Sequence, residues 1–291
     1  ELSALLTACL WSGGALAFAA ATKRAGSFQV NITRLILAAV YLVLLILIAG
    51  LNVNLSNTQI LMLSLSGVVG LTFGDTFLFK AFYEIGARVT MLIMSIAPAI
   101  AALLAYLILG ETLSTAGILG IAITILGVSI VVTDRGGTGT EKVVLTTSGI
   151  VFAMLAAVGQ GSGLVFAKMA FEEGEVNGFV ATAVRIIASL VFLLPVALMT
   201  KRYHNPVRMY KEDKRAFMLT ALGSVLGPFL GISFSLIAIE HTKVGIAATI
   251  MALVPILMLP LVRIIYKEKL AWRAVLGAFT AVAGVAVLFL R

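Results

Sequence analysis

A single carboxylate interrupts one of the longest apolar stretches of this chain. Asp75 closes the segment 67–75 (GVVGLTFGD), inside an apolar run over about 60–79, with Phe73, Phe77 and Phe79 around it. An ionised carboxylate in hydrocarbon costs on the order of 3 kcal/mol or more, so Asp75 is expected to face a helix-bundle interior or a wet cavity. There it could bind a cationic group or carry a proton, because desolvation favours its neutral form. The competing reading is structural: a carboxylate bonded to Thr72 or Thr76, or paired with a buried arginine. Buried ionisable groups in membrane segments are seldom idle, which favours function.

Other residues could share that chemistry. Arg34 and Arg185 each lie a turn or two inside an apolar run. A guanidinium fork can clamp a carboxylate or phosphate, but it can also snorkel or bond a neighbouring helix end. Their matching placement favours a scaffold role. Glu111 and Glu268 each precede an apolar helix and read as caps or gate pins at a positive helix end. Pro98 and Pro255 fall mid-run, where a proline removes a backbone hydrogen bond and bends the helix. Trp11 and Gln160 bring an indole and an amide into the membrane, where both need partners. Tyr83, Ser95 and Ser233 are further candidate cavity groups, although a serine in a membrane helix usually bonds its own turn. No P-loop, HExxH or Cys/His cluster occurs, and the one cysteine, Cys9, forms no intramolecular disulfide. No cofactor or metal is implied.

The elements that must position these groups are membrane helices. The 291 residues are 61% hydrophobic and 12% charged, against about 25% charged in soluble domains. Ten runs suited to a ~30 Å hydrocarbon core lie near 2–21, 29–50, 58–79, 88–109, 114–133, 147–167, 178–199, 216–238, 244–266 and 271–290. The net charge of +8 comes from basic residues at the ends of these runs, as in membrane proteins, and not from a nucleic-acid surface. The chain begins at Glu1 without a methionine and ends directly after an apolar run, so both termini read as trimmed.

The two halves echo one another. An offset of 157 superposes Gly70 on Gly227, Gly74 on Gly231, Pro98 on Pro255 and Glu111 on Glu268, while Ile232 stands where Asp75 does. Gly70 and Gly74 form a GxxxG spacing that lets membrane helices approach closely. The Gly/Thr-rich segment 134–145 is a flexible linker between a first half, 1–133, and a second, 146–291. Five helices per half is odd, so the halves enter the membrane from opposite sides. The expected fold is an all-α integral membrane protein of ten transmembrane helices, arranged as two inverted five-helix repeats around a central cavity.

Both halves resemble the EamA-like repeat of the drug/metabolite transporter superfamily. The likeness rests on Trp11–Gly14, Arg34, GDTFLFKAF at 74–82, Pro98 and LGETL at 109–113 in the first half. In the second it rests on Arg185, GPFLGISFSLIAIE at 227–240, Pro255 and YKEKL at 266–270, with Gly120, Gly127, Gly277 and Gly284 completing the pattern. The resemblance implies a cavity lined by the first, third, fourth, sixth, eighth and ninth spans. It also implies secondary active export or exchange of a small metabolite, such as an amino acid, by alternating access. Protons, through Asp75, or a counter-substrate would supply the energy, without enzymatic chemistry. Gln160 stands where the first half has Trp11, so that end of the cavity is not symmetric.

The expected surroundings are the lipid bilayer of a bacterial or archaeal plasma membrane and a small-molecule substrate, with no nucleic acid. Loop charges place the loops after the odd-numbered spans in the cytoplasm, whereas the resemblance places the termini there. The alternative class is a membrane-embedded non-transport protein, either an enzyme on lipid-linked substrates or a scaffold or receptor subunit. The enzyme would need two carboxylates or a metal cluster at one depth.

Overall fold

Apolar runs leave a backbone that must satisfy its own polar groups in lipid, and the helix is the solution available to a single segment. The computed structural model describes residues 1–133, 146–201, 203–266 and 272–289, and among these every regular element is helical. The linker 134–145, Glu268 and most of 266–270 lie outside the described residues.

Seven helical stretches are long and apolar enough to cross a membrane. The first two are α1 (Leu2–Ala25) and α2 (Ser27–Ala49), separated by Gly26 alone at φ 82°. The third, Asn57–Ala87, joins α3 (Asn57–Gly67), a π-helical segment (Val68–Gly74) and the first part of α4 (Asp75–Met94). Then come α7 (Thr147–Glu172) and α8 (Gly178–Met199). The sixth, Lys214–Glu240, joins α10 (Lys214–Ser224), a second π-helical segment (Val225–Gly231) and α11 (Ile232–Glu240). The last, Val244–Leu261, runs through α12 (Val244–Met251) into α13 (Val254–Tyr266). Shorter apolar helices cover Ala97–Leu109 (α5), Thr115–Ile130 within α6 (Thr115–Thr133) and Val275–Val287 within α14 (Trp272–Phe289). A short surface helix, α9 (Pro206–Glu212), precedes α10.

Polar residues fix where the helices start. Ser56 and Gln59 form a reciprocal capping box on α3, and Thr146, Asn177, Asn205 and Asp213 cap α7, α8, α9 and α10 through their side chains. Glycines fix where helices touch. A Cβ on Gly159 would sit 2.6 Å from the Gly74 Cα, and one on Gly163 2.9 Å from the Gly70 Cα, so α7 meets the first π segment backbone to backbone. The matching glycines of the second half do something else. Cβ atoms on Gly227 and Gly231 would lie 3.0 and 2.5 Å from the Phe18 and Trp11 rings, so there the groove receives aromatic side chains of α1.

Two paths are broken at proline. α4 ends at Met94 and α5 starts at Ala97 with Pro98 in its first turn, and α12 ends at Met251 before Pro255 enters α13. The intervening backbone tightens to three-residue hydrogen bonds, Ile96 N to Ile93 O and Leu253 N to Ile250 O. A proline cannot donate the bond that would continue the helix, so the ring opens the second segment instead.

Candidate functional site

The π segments place the carboxylate. Asp75 follows the first one directly, at the start of α4, and its position in the second half is taken by Ile232. Its side chain is buried, and Oδ2 accepts a 2.5 Å hydrogen bond from Nη2 of Arg34, itself buried in α2. Asn31, one helical turn before Arg34, accepts from the guanidinium at 3.0 and 2.9 Å through Oδ1. Asn31 in turn donates to Thr76 at 3.3 Å, which ties the base of α2 to the start of α4. The Phe79 and Phe18 rings lie 4.6 and 5.4 Å from the guanidinium carbon. Arg34 is therefore bonded through Nε and Nη2 and covered on its faces. Thr72, the other candidate partner for Asp75, bonds Ser189 of α8 instead.

Arg185, in α8, has a different environment. It is 2% exposed, and among the described residues its Nε and Nη1 have no hydrogen-bond partner. Two glycines make its place. A Cβ on Gly67 would fall 2.2 Å from the Arg185 carbonyl oxygen, and one on Gly70 3.2 Å from Nη2. The chain thus holds a buried guanidinium with unused donors, which costs several kcal/mol unless another group completes it.

Both arginines and Asp75 line one cavity of about 130 Å³. Its remaining walls are mostly apolar: Trp11 and Phe18 of α1, Phe79 and Phe82 of α4, and Met91, Met94 and Met251 beside the two breaks. Of the residues singled out from sequence, Asp75, Trp11, Gln160, Ser95, Pro98, Pro255, Arg34 and Arg185 are brought together here. Tyr83 is not: it is 59% exposed on the outside of α4. Ser233 is buried outside the cavity and donates to Phe229 O at 2.6 Å, whereas Ser235, two residues on and so on the other side of α11, lines the cavity. Sequence reading missed Asn31. The signal was its spacing of three residues from Arg34, which places both on one helix face.

Glu111 lies apart, between α5 and α6, in a polar recess with Lys168, Glu240, His241 and Lys243. Its Oε2 accepts from Val244 N at 2.9 Å, so it caps α12 and not the helix that follows it. Lys243 returns a bond to Thr112 O at 2.5 Å, and Lys168 donates to Ile239 O and Glu240 O at 2.9 and 3.1 Å. Burial raises the Glu111 carboxyl above the ordinary value, against the lowering effect of the Val244 N–H.

Seven helices apolar enough to cross a membrane and a mostly apolar cavity holding an ion pair define a multi-pass membrane protein. The chain belongs to the EamA-like transporter family, whose model matches residues 1–133 and 147–290. A solved crystal structure shares its fold with a TM-score of 0.76 at 18% identity, over 99% of this chain and 96% of that one. No curated protein matches the sequence.

Proposed function

We propose that the chain is a secondary active transporter that exports or exchanges a small metabolite, such as an amino acid, by alternating access. The cavity carries this reading: it gathers α1, α2, α4 and α5 with α7, α8, α11, α12 and α13 around buried charges. Scaffolds have no need for such charges at a bundle centre. Seven helices are long and apolar enough to cross a membrane, and this reading counts the three shorter apolar helices as crossings too, for ten. With five in each half, the halves are related by inversion, and a site between them lies near the midplane. The breaks before Pro98 and Pro255 are then the places where α5 and α13 swing to open one side and close the other. The host is a plasma membrane, with the polar recess around Glu111 on one of its faces.

Asp75 is the proton-coupling group in this reading, acting through Arg34. A proton on Asp75 removes the partner charge of Arg34 and frees the guanidinium to move. Flux in proteoliposomes tests both layers. A carrier shows saturable uptake accelerated by substrate on the opposite side, and a structural or enzymatic protein does not. Asp75→Asn should abolish accumulation driven by a pH gradient while sparing exchange. Wild-type accumulation in that variant would make the Arg34–Asp75 pair a fixed strut and leave counter-substrate exchange as the energy source.

A further inference from the structure

Among the described residues, three charged side chains line the cavity: Arg34, Asp75 and Arg185. They are not equivalent. Arg34 and Asp75 are consumed by each other at 2.5 Å, and Asn31 takes more of the Arg34 donors. What remains is one unbalanced positive charge, on a guanidinium that is 2% exposed. Two of its three nitrogens have no hydrogen-bond partner among the described residues. Nε and Nη1 point to opposite edges of the guanidinium, so each offers a carboxylate oxygen one charge-assisted hydrogen bond. An organic cation would find its one lining carboxylate already paired, and a doubly charged phosphate would find one uncommitted cation among the described residues. The rest of the wall, with Trp11, Phe18, Phe82, Met91 and Met251, suits an apolar or aromatic body.

We infer that the solute is an amphipathic organic monoacid whose carboxylate docks on Arg185 while its apolar part lies against the aromatic and methionine wall. This specifies the substrate class of the carrier proposed above and rests on that reading. While Asp75 is ionised, its pair with Arg34 holds α2 to α4 and keeps a second cation from competing for the acid. Gly70 is a further specificity position, because any side chain there crowds Nη2.

The cavity supplies its own reporter. The chain has two tryptophans. Trp11 lines the cavity, and Trp272 is 69% exposed on α14. In detergent-purified Trp272→Phe protein, Trp11 fluorescence is titrated with phenylacetate, phenylacetamide and phenethylammonium, which differ in little but charge. The acid should saturate the signal at a concentration roughly tenfold or more below the amide, as expected for a charge-assisted hydrogen bond. Arg185→Gln should erase that preference, and Arg185→Lys should keep part of it. Equal binding of acid and amide, tighter binding of the ammonium, no saturation by any of the three, or an intact preference in Arg185→Gln would each overturn the inference. Should Arg185→Gln not purify as a monodisperse protein, the three ligands on unsubstituted Arg185 decide alone. Acid-selective binding without flux in proteoliposomes would sink the carrier reading and leave the acid site standing. Flux of the amide and the ammonium without acid preference would do the reverse.

Discussion

Glu111 and Val244 are 133 residues apart in sequence and joined by a 2.9 Å hydrogen bond from the Val244 N–H to the Glu111 carboxylate. The bond matters because α12 has no side-chain cap of its own: Lys243 occupies the cap position and offers no acceptor. Glu111→Ala should therefore loosen the first turn of α12 by about 1 kcal/mol, the usual value of a helix cap. Hydrogen–deuterium exchange should rise in 110–114 and 241–248 and stay unchanged in α1.

The same residue should shape the pH dependence of stability. Burial raises the Glu111 carboxyl above its ordinary value of 4.5. The folded chain thus holds this proton more tightly than the unfolded chain, so the stability contributed is greatest at low pH. It falls as pH climbs from 4.5 through the raised folded value. Glu111→Gln keeps an acceptor for Val244 and removes the titration. Its melting temperature should match wild type at the acid end and exceed it by about 2 °C or less near neutrality.

Breaking the Arg34–Asp75 pair should cost more than deleting it. Asp75→Ala leaves a buried guanidinium without its counter-charge, a loss of about 3–5 kcal/mol. Asp75→Asn retains an acceptor oxygen and should lose less. In the double variant Arg34→Gln with Asp75→Asn, neither member of the pair leaves a charge behind, and Arg185 remains the one buried charge of the cavity among the described residues. A double-mutant cycle on detergent unfolding should give a coupling on the order of 1–3 kcal/mol, and additive effects would mean that the pair is not an energetic unit.

The glycines of the first π region should rank by what a methyl group would meet. Gly67→Ala drives a Cβ to within 2.2 Å of the Arg185 carbonyl, where neither backbone can yield. Gly74→Ala brings its Cβ to 3.3 Å of Gly159, a contact that a small shift relieves. Gly67→Ala should lose about 1–3 kcal/mol by overpacking and displace Arg185, while Gly74→Ala should lose less. Thermal melts and ligand-induced Trp11 signals on both variants check the order.

Gly86 tests backbone conformation without crowding. Nothing lies within 4 Å of a Cβ built there, yet its φ of 73° and ψ of 167° belong to a region held almost only by glycine. Gly86→Ala should cost about 1–3 kcal/mol from strain alone. A neutral melt would show that the bend between the two parts of α4 relaxes freely.

Much of this was legible in the sequence, for definite reasons. Burial of Asp75 followed from the cost of a charge in an apolar run, and the helical architecture from the length of those runs. The GxxxG spacing marked a close helix approach and the mid-run prolines the two bends, while nothing in the sequence reading pointed to the π-helical segments. What could not be read were relations set by helix rotation and pairing. Asp75 found Arg34, 41 residues away, and not the nearer Thr72 or Thr76, because α2 presents Asn31 and Arg34 on one face. Gly227 and Gly231 repeat the spacing of Gly70 and Gly74, yet they receive Phe18 and Trp11 where the first pair receives a backbone. Spacing reports that a groove exists, and its occupant depends on the neighbouring helix. Tyr83 faces outward for the same reason: its angular position on α4 is opposite the cavity.

The Arg34–Asp75 contact also bears on how the chain is built into a bilayer. α2 and the Asn57–Ala87 span are consecutive, joined by the short segment 50–56. Leaving the insertion machinery alone, each would expose an ionised side chain to lipid, at about 2.5–3.5 kcal/mol for an arginine or aspartate at a helix centre. Released together as a hairpin, they enter already neutralised against each other. Biogenesis of this bundle is therefore expected to proceed by helical pairs at this step, with the arginine of the earlier segment held back until its acid emerges.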